Sequence, residues 1–263
     1  MAVRKDFDSP RPRFPHERHQ QMIDLIVELK RVGTTELASR MGISLATIRR
    51  DLTVLEQAGL VSRTHGGVVA RGVGESTTEP LFLEKLRLRQ NLKQRIGAAA
   101  AETVENGKVV ILDSGTTTLA IARALAGRSI TVVTADLKVA EAAAAGSTEV
   151  HIVGGRVRNG FYSIVGAGAA EAMRGVRADL FFMAADAIDE TGVTNSTLDE
   201  AEVKRVAIAQ AERTMLVADH SKLNTRSFAP VCQLDAVSLF ITDHGAEPLL
   251  APYRGKFADI MMV

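Results

Sequence analysis

The sequence predicts an α/β protein in two parts: a winged helix-turn-helix at the front, then an α/β sandwich around a mostly parallel sheet. Three observations carry this. Short amphipathic helical patterns followed by a Gly-Gly hairpin occupy the first 71 residues. From residue 109 onward, apolar runs alternate with Ala-rich helical segments. Charge is also segregated: residues 1–72 hold twelve Lys/Arg against eight Asp/Glu, which leaves twenty against twenty-three for the rest. A basic front and an acidic remainder suit a chain of which one part meets phosphate backbone and the other does not.

Length and composition set the frame. At 263 residues with 46% hydrophobic content, the chain has material for two packed domains. The single cysteine, Cys232, excludes an intramolecular disulfide framework and fits a reducing compartment. No apolar run reaches the roughly 18 to 20 residues of a membrane span. The opening MAVRKDFDSPRPRFPHER is polar and broken by proline, unlike a signal peptide. A cytoplasmic protein is therefore expected. The expected division is a flexible arm at 1–15, the winged helix-turn-helix at 16–71, a linker at 72–90, and an effector-sensing and oligomerisation domain at 91–263.

After the arm, residues 20–31 (QQMIDLIVELKR) space Ile23, Ile26, Val27 and Lys30 as a supporting helix. TTELASRMGIS, residues 34–44, reads as a Thr-capped short helix with Leu37, Ala38 and Met41 inward and a turn at Gly42. SLATIRRDLTVLEQAGL, residues 44–60, follows at once. Leu45, Ile48, Leu52 and Leu55 form its apolar stripe, Ser44 its N-cap and Gly59 its stop. Arg50 points the other way with Ala46, Thr53 and Gln57, flanked by Thr47 and Arg49. Small, hydroxylic and cationic groups on an outward face suit the major groove, where Arg reaches guanine edges and Thr bonds bases or phosphates. LVSRTHGGVVA, residues 60–70, supplies strand, Gly-Gly turn and strand, the wing. The candidate DNA contacts are thus Ser44, Ala46, Thr47, Arg49, Arg50 and Thr53 on the helix, with Arg63, His65 and Gly66 on the wing. Asp51 is assigned to structure, pairing with a nearby Arg or Thr, because phosphates repel a carboxylate.

ARGVGESTTEP, residues 70–80, is small and polar and reads as linker. The following LFLEKLRLRQNLKQRIGAAAAETVENG is helical for most of its length and stops at Asn106-Gly107. Strands are expected at 109–112, 130–134, 150–153, 180–184, 215–218, 239–242 and 260–263, all buried on both faces, with helices at 119–126, 137–145 and 199–213 between them.

In such sheets ligands bind beyond the carboxyl ends of the strands. ILDSGTTTLAIARAL, residues 111–125, stops a strand at Leu112, turns through Asp113, Ser114, Gly115, Thr116 and Thr117, and starts a helix near Thr118. Free N–H groups, hydroxyls and a positive helix end favour an anion there, phosphate above all. No Gly-Lys-Ser/Thr follows, so this is not a Walker loop, and it lacks the dinucleotide GxGxxG. AADAIDETGVTNS (184–196) adds Asp186 and Asp189, and VADHSK (217–222) adds Asp219 and Lys222. Lys93 and Lys204 sit on helices that can be directed at the same mouth. Cations for phosphate and carboxylates for hydroxyls are the needs of a sugar-phosphate pocket.

TIRRDLTVLEQAGLVSRTHGG resembles the helix-turn-helix signature of DeoR-type bacterial transcriptional regulators. The resemblance continues through Lys93, DSGTT (113–117), VVTADL (132–137), VGG (153–155), VG (165–166), AADAID (184–189), Gly192, EAEVKR (200–205) and DHSK (219–222). It implies a sensor domain of the ribose-5-phosphate isomerase fold, a phosphorylated sugar or polyol as inducer, no catalytic cofactor, and a place for Asp136 and Gly155 among the effector-binding residues. Ala135 stands where the family commonly has Asn, Ala187 where it has Gly, and His220 where it has Ser; all three bear on effector choice.

The function expected is repression of a sugar or polyol catabolic operon by a dimer or tetramer that binds double-stranded operator DNA and releases it when the effector binds. The alternative is an isomerase-like enzyme in which Asp186, Asp189 and Lys222 move protons on a sugar phosphate; the DNA-reading front counts against it. Consecutive Asp219, His220 and Ser221 cannot form a triad, and the six histidines with Cys232 show no zinc spacing.

Overall fold

The computed structural model describes residues 15–29, 32–57, 61–64, 67–70 and 79–263. Residues 1–14 of the expected arm, Lys30, the Gly59 stop, His65, Gly66 and residues 71–78 of the linker lie outside them. The chain divides into two compact units, Met1–Thr78 and Glu79–Val263.

The first unit holds three helices and a hairpin: α1 (Pro15–Glu28), α2 (Thr34–Met41), α3 (Leu45–Gln57), β1 (Val61–Thr64) and β2 (Gly67–Ala70). Its core is the expected apolar stripe, with Met22, Ile23, Ile26, Leu37, Met41, Ile48, Leu52, Leu55, Val61 and Val68 buried. Ala38 is only half-buried. Two boundaries differ from expectation. The first helix starts at Pro15, since proline's missing N–H costs nothing in a first turn. Thr34 is inside α2, whose N-cap is Gly33 with no side-chain cap bond. Strands β1 and β2 pair antiparallel, and Val32 adds a bridge, exchanging two backbone hydrogen bonds with Val68 (3.0 and 2.8 Å).

The second unit runs α4 (Phe82–Arg87), α5 (Gln90–Glu102), β3 (Val109–Leu112), α6 (Thr116–Leu125), β4 (Thr131–Thr134), α7 (Leu137–Ala143), β5 (Glu149–Ile152), β6 (Arg156–Val157), β7 (Ile164–Val165), α8 (Ala167–Arg174), β8 (Ala178–Met183), β9 (Ala187–Asp189), β10 (Gly192–Asn195), α9 (Leu198–Gln210), β11 (Ala211–Val217), β12 (Ala229–Cys232), β13 (Leu239–Thr242) and β14 (Ile260–Met262). Seven strands form one sheet in the order β14-β13-β11-β8-β3-β4-β5, every pairing parallel. These are the seven apolar runs read from the sequence. Alternate side chains face opposite layers. Val110, Leu112, Val132, Phe182 and Val217 pack with α5, α6 and α7, while Ile111, Val133, Phe181, Met183, Leu216 and Phe240 pack with α8 and α9.

Burial on both faces holds only for the inner strands. Edge strand β5 exposes Glu149, His151 and Ile152, and β14 exposes Met261 and Met262. The stretch after Leu81 that is expected to be helical for most of its length forms two helices, broken where Arg89 takes a left-handed φ of 53°. The linker expected to reach residue 90 is too long: Glu79, Leu81 and Phe82 are buried in the second unit. The helix expected over 199–213 ends at Gln210, and Ala211 to Arg213 already pair with β8. Helix α8 and the small sheets β6-β7 and β12-β10-β9 were not legible, being short and without period. Among the described residues no helix is long and apolar enough to cross a membrane.

Candidate functional site

On α3 the outward face has the composition the sequence predicts. Ser44, Ala46, Arg49, Arg50 and Thr53 are exposed, and Thr47 is half-buried. Ser44 caps the helix, its Oγ accepting from Thr47 N (3.2 Å) and lying 2.8 Å from Thr47 Oγ1. Arg63 is already engaged. Its guanidinium donates to Arg49 O (3.0 Å) and Thr53 Oγ1 (2.7 Å) and pairs with Glu56 (3.3 Å), so it braces the wing strand against α3. Thr53 is occupied by the same contact and by Arg49 O at 2.9 Å. Among the described residues Arg49 and Arg50 carry the unpaired positive charge of this face. Asp51 is buried and takes Arg18 Nε (2.5 Å), Arg18 Nη2 (3.0 Å) and His19 Nε2 (3.0 Å). Burial opposes its charge, but Arg18 and His19 outweigh that and lower its pKa. Its partner Arg belongs to α1, 33 residues away in sequence.

In the second unit the chain leaves β3 in one direction toward β4 and β5, and returns on the other side of β3 through β8, β11, β13 and β14. The carboxyl ends of β3 and β8 therefore flank a switch point, where loops diverge and a crevice opens. The cavity lies there. Its walls are Ser114, Gly115, Thr116 and Thr117 after β3, Ala184, Ala185 and Asp186 after β8, Asn195 on β10, Glu200 and Lys204 on α9, Lys222, and Glu79, Phe82, Lys85, Lys93 and Phe161 from elsewhere in the unit.

Gly115 is the N-cap of α6 with φ of 143°, a conformation that L side chains rarely adopt, so the helix starts at Thr116, two residues before the expected Thr118. Its first turn offers unpaired backbone N–H groups. Ser114 Oγ, Thr116 Oγ1 and Thr117 Oγ1 form no hydrogen bond among the described residues, although both threonines are buried.

The lysines differ in how far they are committed. Lys204 is buried and pairs with Asp113 while donating to Ala184 O (3.0 Å). Lys85 bridges Glu79 and Asp186, 2.7 Å from each; burial disfavours its charge, but the two carboxylates raise its pKa to about 12. Among the described residues Lys93 donates only to Lys85 O, and burial, with Lys222, Lys85 and Arg89 nearby, lowers its pKa to about 8. Lys222 has no hydrogen-bond partner among the described residues, and burial followed by the Lys85 charge lowers its pKa.

The acidic wall is interleaved with cations. Asp186 accepts Lys85 Nζ on one oxygen and Ser196 N (2.9 Å) and Oγ (2.7 Å) on the other; burial works against its charge, yet these partners hold its pKa well below the usual range. Glu200 accepts Ser163 Oγ (2.7 Å) and Asn195 Nδ2 (2.8 Å) and pairs with Arg158, which also reaches Glu79 at 2.9 Å. Carboxylate oxygens of Glu79, Asp186 and Glu200 lie within 4.8 Å of one another. Lys85 pairs with Glu79 and Asp186, and Arg158 with Glu79 and Glu200, so two cations and three carboxylates form one ion-pair network.

Eight of the thirteen effector candidates read from the sequence line the cavity: Lys93, Ser114, Gly115, Thr116, Thr117, Asp186, Lys204 and Lys222. Five stand elsewhere. Asp113 is buried behind the wall, accepting Ser114 N and Ala184 N at 2.8 Å each and holding Lys204 in place. Asp136 caps α7, one oxygen accepting Lys138 N (2.7 Å) and Val139 N (2.9 Å). Asp219 caps the turn before Lys222, accepting Ser221 N (3.0 Å) and Oγ (2.5 Å). Asp189 is a turn residue at the end of β9, bound by Thr191 and by Arg226 at 3.0 Å. Gly155 is a packing glycine: a Cβ there would meet Ile164 Cγ2 and Val165 O at 2.9 Å. Of the three departures, Ala135 and Ala187 are buried beside the sheet, and His220 turns away to Asp243, with Nδ1 and Oδ2 2.7 Å apart.

Sequence reasoning missed Glu79, Phe82, Lys85, Phe161, Asn195 and Glu200. Glu79, Phe82 and Lys85 were assigned to the linker or to the helix after it. Phe161 and Asn195 sit in short elements with no periodic signal.

A family model described as DeoR C terminal sensor domain matches residues 88–244, and one described as DeoR-like helix-turn-helix domain matches residues 18–71. The HTH-type transcriptional regulator GlpR of Haloferax volcanii is 36% identical over 232 residues, 87% of this chain and 90% of that protein. The HTH-type transcriptional regulator GolR of Listeria innocua is 32% identical, covering 94% of this chain and 96% of its own. A solved ribose 5-phosphate isomerase A of Methanocaldococcus jannaschii aligns with 51% of this chain and 54% of its own at 17% identity and a TM-score of 0.38.

Proposed function

The chain belongs to the DeoR family of transcriptional regulators, and from that premise we propose a repressor of a sugar or polyol catabolic operon whose effector, a phosphorylated sugar or polyol, enters the cavity at the β3/β8 switch point. One observation carries the effector reading. Among the described residues Lys222 and Lys93 are the cavity lysines without a carboxylate partner, and they share the cavity with three unbonded hydroxyls at the N-terminus of α6. Two uncommitted ammonium groups and a positive helix end suit one phosphate dianion. The Glu79, Asp186, Asn195 and Glu200 wall offers acceptors for the hydroxyls of the same molecule.

The cavity holds about 60 Å³, enough for a few waters. A sugar phosphate enters only when the Phe161 loop and the Lys85 and Arg158 bridges give way. Binding is thereby tied to a rearrangement, as a ligand that shifts a two-state equilibrium requires. Two or more copies present α3 to successive half-sites on double-stranded DNA, and the effector favours a spacing that no longer fits. The isomerase reading loses its base: Asp186 is held by Lys85 and Ser196, and Asp189 lies outside the cavity.

Thermal-shift and calorimetric screening of sugar and polyol phosphates against the full chain, followed by an operator gel shift with each hit, tests this. The expected result is a binder at micromolar concentration that abolishes the shifted band, while the unphosphorylated sugar does neither. Equal response to the unphosphorylated sugar overturns the phosphate assignment.

A further inference from the structure

The two strands of the wing are each fastened to the rest of the first unit. Strand β2 exchanges two backbone hydrogen bonds with Val32 through Val68 (3.0 and 2.8 Å), and a Cβ at Gly67 would meet Val32 O at 2.6 Å, so the strand lies this close because it carries no side chain there. Strand β1 is held through Arg63, which reaches across to α3. Its Nη2 donates to Arg49 O (3.0 Å) and Thr53 Oγ1 (2.7 Å), its Nε stands 3.3 Å from Glu56 Oε2, and its backbone N donates to Glu56 Oε1 at 3.3 Å. Both Nη2 hydrogens are spent on α3, and the Glu56 carboxylate offsets the guanidinium charge. Thr53 is committed by the same contact. Its one hydroxyl proton goes to Arg49 O (2.9 Å), so it has none left for a phosphate oxygen, which only accepts.

We propose that Arg63 is a positioning residue for sequence-specific DNA binding: it sets the angle of the wing to the reading helix by fastening β1 to the Arg49–Glu56 stretch of α3, and touches neither base nor phosphate itself. An exposed ion pair alone would contribute little, and the Arg63 and Glu56 side chains are each 41% exposed. A planar guanidinium bonded at once to a backbone carbonyl, a hydroxyl and a carboxylate is different, because its fork fixes direction as well as distance. Arg49 O belongs to the turn of α3 whose side chains, Arg49 and Arg50, are exposed on the outward face. Wing and reading surface therefore move as one body, and binding DNA costs little further ordering of the wing.

The proposal rests on α3 as the reading helix and on nothing in the effector cavity. Its test uses the full chain without effector and two duplexes: one enriched by the wild type from a random-sequence pool, and a scrambled duplex of the same composition. Fluorescence anisotropy from about 50 to 200 mM salt gives affinity and salt slope for the wild type, Arg63→Gln, Arg63→Lys and Arg50→Ala. Circular dichroism and the melting transition of the first unit show whether each variant is folded.

Arg63→Gln should weaken binding to the enriched duplex about 3- to 10-fold, leave binding to the scrambled duplex unchanged, and keep the wild-type salt slope. Arg63→Lys should bind no better than Arg63→Gln, since an ammonium keeps the charge but cannot bond carbonyl, hydroxyl and carboxylate in one plane. Were Arg63 a phosphate contact, Arg63→Gln would lower the slope by about 0.9 and weaken both duplexes alike, and Arg63→Lys would restore binding; any of these overturns the proposal. Should Arg63→Gln unfold, Arg63→Lys decides: wild-type affinity overturns the proposal, and a loss confined to the enriched duplex supports it. Loss in Arg50→Ala with wild-type binding in Arg63→Gln refutes the brace alone, whereas wild-type binding in both refutes α3 as the reading helix as well.

Discussion

Replacing Asp136 by Asn should make the second unit more stable at pH 8 and much less so at pH 5. One Asp136 oxygen caps α7, but the other is buried and has no hydrogen-bond partner among the described residues. Burial dominates, with the Asp113 charge adding to it, and the pKa rises from the usual carboxylate range to about 7, despite the opposing N–H groups of Val139, Lys138 and Gly115. The folded state thus holds a proton that the unfolded chain has lost between pH 4 and 7. Folded protein binds more protons there, so stability falls as pH rises through that window and is level above it. A shift of about 3 units corresponds to a ceiling of about 4 kcal/mol, of which about 3 kcal/mol develops between pH 5 and pH 8. Asn is neutral and still caps, so it removes the slope without removing the cap. Calorimetric melting of both proteins at pH 5, 6, 7 and 8 reads the difference, expected to widen by about 6–12 °C across the series. Parallel curves across that range would show that Asp136 is ionised at neutral pH and that the burial argument is wrong.

The other consequences are simpler to measure. Lys222→Ala should weaken binding of a phosphorylated effector about 10- to 100-fold by titration calorimetry, the worth of a charge-assisted hydrogen bond, and leave effector-free operator affinity unchanged. Arg50→Ala should cost about 1 to 3 kcal/mol in operator binding and relax sequence choice if it reads a base, or reduce the salt slope by about one if it meets phosphate; a variant with unchanged affinity and slope removes Arg50 from the interface. Asp51→Ala strands the partly buried Arg18 and should lower the stability of the first unit by about 2 kcal/mol, seen in its melting transition. No change there would mean that water replaces the carboxylate at no cost.

What the residues determine unaided is periodic. Seven apolar runs became the seven parallel strands, and the Leu45, Ile48, Leu52, Leu55 stripe fixed which face of α3 is outward, because burial depends on spacing alone. The Ser114 to Thr117 turn was legible for a similar reason: a glycine between hydroxylic residues at a strand-to-helix junction is a local signal. Partner choice is a different matter. Lys85 meets Asp186 across 101 residues and Lys204 meets Asp113 across 91, and no local pattern encodes either pair. Asp113, Asp136 and Asp219 look alike in sequence to a ligand-binding carboxylate, yet the hydrogen bonds they accept come from backbone N–H groups, the Ser221 hydroxyl or Lys204. Which charges remain uncommitted, and hence where an anion can be held, follows only once the sheet order brings the ends of β3 and β8 together. An ion pair depends on distance in space, and the chain sets that distance only by folding.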